Sequence, residues 1–340
     1  MYQKRTALPK PPRTETAAAL AATTGAGSPE PSLLVVHAGL PAALEEAAGS
    51  PAGATLAHAL RQHSALEHQL DLLNAEIEVL AFESKCGLVD DTQDVEHYDG
   101  TLGVSRDFVE QHERAVGQLQ WLDDLDVRFS SPGETPGTVS GQRWGSGGLI
   151  DDDVFLTAGH CFDQVGGGWK RPSRNGSIIS PREIARLMRV NFLFQINGET
   201  GALRDEESFP IVNLLEYRVG ALDYAIVRLG PNADGLLPGA IYGTLTTALQ
   251  DLTTPNAMLC MIQHPSGKPK KIEAGPMLSN QGKRIMYDSL DTEGGSSGAP
   301  VLGPAGDVVG VHTNGGCSAF SGANFGVAIG AIREKSSMII

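Results

Sequence analysis

Short apolar runs separated by turn-forming residues dominate the chain from about residue 100 onward. Gly, Asp, Asn and Pro separate these runs, and alternating strand–helix–strand units are absent. Repeated short strands with turn signals are typical of a β-sandwich or a β-barrel. We therefore predict a mainly β domain over residues 101–340, interrupted by one helix. The clearest predicted elements are strands at Gly147–Ile150, Val154–Ala158, Val190–Phe194, Tyr224–Leu229, Met258–Ile262 and Val308–Val311, and a helix at Pro181–Met188.

The first hundred residues carry a different pattern. Residues 1–31 are rich in Pro, Ala, Thr and Gly, which bury little apolar surface, so we predict a disordered lead. Residues 32–100 are predicted to be helical, most clearly over residues 54–82. Apolar residues recur there in alternating steps of four and three, which is typical of a packed helix seam. The seam residues are Leu66, Leu70, Leu73, Ile77 and Leu80.

This helix seam packs either on another part of the same chain, such as a neighbouring helix or the following domain, or on a binding partner. The partner could be a second copy of this chain. We hypothesise that residues 1–100 regulate the domain that follows, either as a removable pro-segment or as a docking module. The sequence leaves both alternatives open.

Composition excludes several classes of function. The formal net charge is −14, with 40 Asp and Glu against 26 Lys and Arg, so the chain is a poor nucleic-acid binder. The one compact basic run, Lys268, Lys270 and Lys271, follows a probable turn and is interpreted as a solvated loop. No apolar stretch is long enough to cross a membrane, and no signal-peptide h-region is present. We therefore expect a cytoplasmic protein, with export by a non-standard route as the alternative.

The cysteines are sparse and show no CxxC spacing, so we expect no zinc site. No other metal and no organic cofactor is expected either. Cys260 and Cys317 are candidates for a disulfide, although the sequence does not decide it. The overall cysteine usage favours a reducing compartment. The four cysteines are Cys86, Cys161, Cys260 and Cys317.

Three segments carry candidate chemistry for nucleophilic catalysis, which needs a nucleophile, a base, a group that orients the base, and donors for an oxyanion. An apolar strand leads through small residues to His160 in TAGHC, which supplies a base. Asp223 stands directly before a strongly apolar strand, and a buried Asp needs a partner such as a histidine N–H. Ser297 lies in GGSSGAP, where glycines permit a sharp turn that exposes the hydroxyl. The backbone N–H groups of Gly295 and Ser297 could then form an oxyanion hole.

These segments occur in the order His, Asp, Ser, and together they resemble the chymotrypsin/trypsin-like serine peptidase superfamily. The resemblance covers roughly residues 101–336. It implies a double six-stranded antiparallel β-barrel, with His160 and Asp223 in the first barrel and Ser297 in the second. It implies a serine endopeptidase that acts on protein or peptide substrates. The alternative from another class is a catalytically silent binding module on the same scaffold.

The strings DTEGGSSGAPV and VHTNG are similar to those of bacterial glutamyl endopeptidases. In that family the residues at the positions of Thr292 and His312 contact the substrate carboxylate, and Thr313, in the same string, is a further candidate for substrate binding. The resemblance therefore implies cleavage after Glu or Asp. Asp291, six residues before Ser297, offers the alternative, because an Asp at that offset selects Lys or Arg in trypsin-like enzymes.

Two departures concern activation. Trypsin has an Asp directly before the nucleophile, which pairs with a freshly cut N-terminus, whereas this chain has the uncharged Ser296. Glutamyl endopeptidases place their new α-amino group near the substrate carboxylate. About 100 residues precede the predicted protease domain here, so such an amine would require processing.

Overall fold

The computed structural model describes residues 85–164, 169–318 and 321–339. The predicted disordered lead and the predicted helix around residues 54–82 lie outside them, so the regulatory role and self-association through that helix stay predictions. The described strands are β1 Gln93–Asp94, β2 Val116–Trp121, β3 Glu134–Thr135, β4 Arg143–Leu149, β5 Val154–Thr157, β6 Ser173–Arg174, β7 Ser177–Ile178, β8 Met188–Phe192, β9 Glu207–Arg218, β10 Tyr224–Leu229, β11 Met258–Gln263, β12 Lys271–Gln281, β13 Arg284–Tyr287, β14 Pro300–Leu302, β15 Val308–Asn314 and β16 Asn324–Ala328. The described α-helices are α1 Arg106–His112, α2 Leu125–Arg128, α3 Pro181–Arg186, α4 Pro238–Tyr242 and α5 Ile329–Arg333. None of these helices is long and apolar enough to span a membrane.

The first barrel closes in the strand order β10-β5-β4-β2-β8-β9, with antiparallel pairing throughout. Its strands are apolar on the face that fills the barrel, where Leu119, Phe155 and Phe192 are fully buried. The rings of Phe192 and Tyr242 stack at 4.7 Å between centroids, which extends this core to helix α4.

The second barrel follows the order β12-β11-β14-β15-β16-β13 and closes through antiparallel pairing of β12 with β13. β12 is long enough, at 11 residues, to pair with β11 along its first half and with β13 along its second half. The predicted fold of two closed six-stranded antiparallel barrels is therefore confirmed.

A strap formed by residues 85–94 lies against the second barrel. Its strand β1 pairs with β12, with Gln93 opposite Ile272 and Asp94 opposite Lys271. The Nζ atom of Lys271 also forms an ion pair with Asp94 at 2.8 Å. Contacts with the barrel thus begin before the predicted domain boundary near residue 100, which itself stays a prediction.

The disulfide of this domain joins the strap to the second barrel. Cys86 is bonded to Cys317, with 4.9 Å between the Cα atoms, whereas Cys161 and Cys260 are buried free thiols. The candidate pairing of Cys260 with Cys317 was therefore wrong. Cys317 is bonded to Cys86 instead, and Cys260 lies inside strand β11 with 1% of its surface exposed.

The interpretation of the basic run as a solvated loop was wrong for Lys270, which is fully buried. Its Nζ atom donates to the carboxylate of Glu113 at 2.9 Å and to the carbonyl oxygen of Glu113 at 2.8 Å. A buried ammonium needs such partners, because an unpaired charge in the interior is costly. Lys270 therefore joins the second barrel to the segment that follows helix α1.

Candidate active site

His160 lies directly after strand β5, in a 3₁₀ turn over Gly159–Phe162. β5 pairs with β10, with Thr157 opposite Ala225, so Asp223, directly before β10, comes next to this turn. Gly159 leaves no room for a side chain, since a Cβ atom there would lie 1.8 Å from the carbonyl oxygen of Arg218. The small residue before the histidine is thus a packing requirement of the first barrel.

His160 and Asp223 are hydrogen-bonded twice. The backbone N–H of His160 donates to Oδ1 of Asp223 at 2.8 Å, and Nδ1 of its ring lies 2.5 Å from Oδ2. An ionised carboxylate only accepts, so the ring hydrogen is on Nδ1, which leaves Nε2 as the basic nitrogen. Asp223 is only 7% exposed, so the histidine provides the partner that a buried carboxylate needs.

Ser297 lies in a tight turn that precedes strand β14. The turn is closed by reciprocal hydrogen bonds, from the N–H of Glu293 to Oγ of Ser296 at 3.1 Å and from the N–H of Ser296 to the carbonyl of Glu293 at 2.9 Å. Gly295 and Gly298 have φ angles of 98° and 88°, a region that L side chains rarely adopt. Ser296 is fully buried inside this turn, and its uncharged hydroxyl serves the turn itself.

Ser146 of strand β4 connects the nucleophile turn to the first barrel. Its N–H donates to the carbonyl of Ser297 at 2.8 Å, and its hydroxyl donates to the carbonyl of Gly295 at 2.7 Å. Its own carbonyl accepts from the hydroxyl of Thr157 at 2.7 Å, and Thr157 lies three residues before His160. The turn that carries Ser297 and the end of β5, three residues before His160, are thus both hydrogen-bonded to Ser146. Sequence reasoning missed Ser146, because a serine in the middle of a glycine-rich strand carries no distinctive signal.

The backbone N–H groups of Gly295 and Ser297 form no hydrogen bond with any residue that the structure describes. Unpaired backbone donors beside a serine hydroxyl are suited to an anionic oxygen. Ser297 is 5% exposed, so this residue is largely shielded from water.

His312 lies on strand β15, with 1% of its surface exposed. Its backbone is tied to the nucleophile turn, since the N–H of Gly298 donates to the carbonyl of His312 at 2.7 Å and the N–H of His312 donates to the carbonyl of Ala299 at 2.9 Å. Burial, together with the nearby His160, lowers the pKa of His312 to about 3, so its ring is neutral near neutral pH.

Tyr287 of strand β13 fixes the ring of His312, with its hydroxyl 2.5 Å from Nδ1. Burial raises the pKa of Tyr287 well above its ordinary value, so the phenol keeps its hydrogen and donates it to Nδ1. The hydrogen of the neutral His312 ring is then on Nε2, which is available as a donor. No signal in the sequence identified Tyr287, because it is one apolar residue of an ordinary strand.

Thr292 and Thr313 are both buried, at 0% and 1% exposure. The Oγ1 atom of Thr292 accepts from Nδ2 of Asn324 at 3.2 Å, and Nδ2 of Asn324 also donates to the carbonyl of Leu290 at 2.8 Å. Asn324, which sequence reasoning missed, thus holds the segment before the nucleophile against strand β16.

Asp291 is in contact with the strap. It is 2% exposed, and its Oδ1 atom accepts the backbone N–H of Cys86 at 2.6 Å. Its backbone carbonyl accepts from Nε2 of Gln263 at 2.7 Å. Burial raises the pKa of Asp291 above its ordinary value. A strap residue therefore already binds the carboxylate that was the candidate for recognising Lys or Arg.

Comparisons with known proteins give matches to peptidases. A family model described as trypsin-like peptidase domain matches residues 145–311. Glutamyl endopeptidase of Staphylococcus aureus strain MRSA252 is 31% identical over 183 residues, which cover 53% of this chain and 45% of that protein. The sequences of strains MW2 and MSSA476 match at the same identity.

Two further matches were found. The uncharacterized protein y4fB of Sinorhizobium fredii is 30% identical over 186 residues, which cover 50% of this chain and 25% of that protein. The crystal structure of the Rv3671c protease in its inactive form gives a TM-score of 0.43 at 15% identity, covering 71% of this chain and 96% of that one. The chain thus spans about half the length, or less, of the curated relatives it matches.

Proposed function

We propose that this chain, a serine peptidase of the chymotrypsin/trypsin-like class, hydrolyses peptide bonds with Ser297 as nucleophile, His160 as base and Asp223 as the residue that orients the histidine. One observation carries the proposal. The turn that carries Ser297 and the end of β5, three residues before His160, come from different barrels, yet both are hydrogen-bonded to Ser146 at 2.7–2.8 Å.

The reaction proceeds in two steps. Nε2 of His160 takes the proton of the Ser297 hydroxyl while Oγ attacks the scissile carbonyl carbon, and the N–H groups of Gly295 and Ser297 stabilise the oxyanion. His160 then gives the proton to the leaving amine, which breaks the peptide bond and leaves an acyl-enzyme. Water, activated by the same nitrogen, hydrolyses the acyl-enzyme and regenerates Ser297.

The preferred residue before the scissile bond is Glu or Asp. Nε2–H of the neutral His312, fixed by Tyr287, is a suitable donor to a substrate carboxylate, and the hydroxyl of Thr292 is a second donor. Relatives with 31% identity are named glutamyl endopeptidases, which supports this preference. Binding of Asp291 by the strap argues against the alternative preference for Lys or Arg.

The test uses the full-length protein with three matched peptides that differ only in having Glu, Gln or Lys before the scissile bond. We expect cleavage after Glu and none by the Ser297→Ala variant. Cleavage after Lys alone would transfer specificity to Asp291 and refute the role of His312.

A fluorophosphonate probe separates an active enzyme from a silent scaffold, because only an activated serine reacts. We expect labelling of wild-type protein that is lost in Ser297→Ala. Absence of labelling in correctly folded wild-type protein would favour the catalytically silent binding module.

A further inference from the structure

Three carboxylates converge beneath the segment that leads to the nucleophile. Asp91 belongs to the strap, Glu273 to strand β12, and Asp291 to the segment six residues before Ser297. One oxygen atom from each lies within 4.8 Å of the other two. Pairing of β1 with β12 and the hydrogen bond from Cys86 to Asp291 bring these three parts of the chain together.

Two of these carboxylates are buried without a counter-charge. Glu273 is 0% exposed and Asp291 is 2% exposed. Oε2 of Glu273 and Oδ2 of Asp291 form no hydrogen bond with a described residue. Among the residues that the structure describes, no lysine or arginine pairs with any of the three, and Lys271 pairs instead with Asp94. A buried carboxyl oxygen without a hydrogen-bond partner is costly, and a positive partner would remove that cost.

A neutral oxygen atom on the same side of the sheet also lacks a partner. Met261 lies opposite Glu273 in the β11–β12 ladder, so Gln263, two residues further along β11, shares the face of Glu273. Gln263 is fully buried and donates through Nε2 to the carbonyl of Asp291. Its Oε1 atom is buried and forms no hydrogen bond with a described residue. Buried oxygen atoms without a hydrogen-bond partner among the described residues thus come from the Gln263 carboxamide and from the Glu273 and Asp291 carboxyl groups.

We propose that Asp91, Glu273 and Asp291 bind a hard divalent cation, and that Ca²⁺ fits these donors best. Ca²⁺ takes 6–8 oxygen ligands at about 2.3–2.6 Å in flexible geometry, so ligand atoms on opposite sides of the ion lie about 5 Å apart. The three ligand oxygens lie within 4.8 Å of one another, so one ion can contact all three. Zn²⁺ prefers His and Cys ligands, and Mg²⁺ demands a tighter octahedron with several waters.

Asp91 is exposed, which provides a path for the cation and room for water ligands. A bound cation would join the strap to the second barrel at Asp291, the residue before Thr292. It would also neutralise the negative charge of Asp291 next to the pocket that is proposed to receive Glu or Asp. This last consequence rests on the proposed function, whereas cation binding itself does not.

The test is a titration of full-length protein, treated with EDTA and dialysed, with CaCl₂ and separately with MgCl₂. Calorimetry should show one Ca²⁺ site, and the midpoint of thermal unfolding should rise by about 5 °C when free Ca²⁺ is a hundredfold above Kd. Asp91→Asn and Glu273→Gln should each remove the rise. Asp94→Asn, a strap residue outside the cluster, should keep it.

Absence of binding heat and of a thermal shift in wild-type protein would overturn the proposal, and so would an equal shift in Asp91→Asn and Glu273→Gln. An equal response to MgCl₂ at the same concentrations would overturn the choice of Ca²⁺. The Asp91→Asn variant should fold normally, because Asp91 is exposed, and far-UV circular dichroism verifies its fold. None of these readouts uses peptidase activity, so failure here leaves the proposed function standing.

Discussion

Replacing Tyr287 by Phe removes one hydroxyl from the wall of the proposed specificity pocket. The hydroxyl lies 2.5 Å from Nδ1 of His312, and both residues are at most 1% exposed, so no water from outside replaces it without rearrangement. A buried polar atom left without a partner costs about 1–3 kcal/mol in the free energy of unfolding. For a domain of this size we expect the unfolding midpoint to fall by about 2–4 °C per kcal/mol.

The larger consequence concerns the position of the ring hydrogen of His312. Without the phenol, the neutral ring can carry its hydrogen on Nδ1, and Nε2 then accepts rather than donates. Such a ring no longer binds a carboxylate, but it can accept from the amide of Gln. We expect the ratio of kcat/KM for matched Glu and Gln peptides to fall about tenfold, which corresponds to about 1.4 kcal/mol.

Tyr98→Phe is the matched control. Tyr98 is also buried, and its hydroxyl donates to the carbonyl of Val104 at 2.9 Å in the segment before helix α1. The control should lose stability and keep the wild-type Glu-to-Gln ratio. If Tyr287→Phe lost stability to the same extent and also kept that ratio, Tyr287 would have a structural role only, and the reasoning about the tautomer of His312 would be refuted.

Three further predictions concern charge, covalent structure and backbone geometry. Partial burial would raise the pKa of Glu96, but hydrogen bonds led by that from Arg204 outweigh it and lower the pKa to about 2. The ionised carboxylate therefore stabilises the fold above about pH 4.5, and this contribution disappears as the pH falls toward 2. Chemical denaturation should show that Glu96→Gln lowers the free energy of unfolding at pH 7, and that the difference from wild type vanishes at pH 2. Cys86→Ser should cost about 2–4 kcal/mol in denaturant unfolding, and an unchanged unfolding midpoint would contradict a disulfide there. Gly298→Ala places a Cβ atom 2.1 Å from a neighbouring hydroxyl oxygen at a φ of 88°, so kcat/KM should fall at least about 100-fold, whereas Gly282→Ala, at a φ of 62° in open space, should keep wild-type activity.

The strands that are continuous apolar runs could be predicted from the sequence. Strand β10, Tyr224–Leu229, was predicted with its observed bounds, because five of its six residues are buried. Strand β9, Glu207–Arg218, was not predicted. It alternates apolar and polar residues and contains Pro210, and a proline argues against a strand in the sequence.

The candidate site was predictable where residue types recur in a fixed local order. The segments around His160, Asp223 and Ser297 carry such an order, and the structure places His160 against Asp223. Ser146 and Tyr287 act through hydrogen bonds to segments distant in sequence, and no local pattern encodes those contacts. The role of Cys86 was hidden for the same reason, since its partner is 231 residues away.

The disulfide also decides what an electrophoresis gel reveals about this protein. It encloses the chain from Cys86 to Cys317, and His160, Asp223 and Ser297 all lie inside that loop. If the enzyme cut itself at a surface turn between these cysteines, the two pieces would remain covalently joined and would migrate together without reductant. A preparation that looks intact on a non-reducing gel can therefore be fully nicked, and only reduction would separate the fragments.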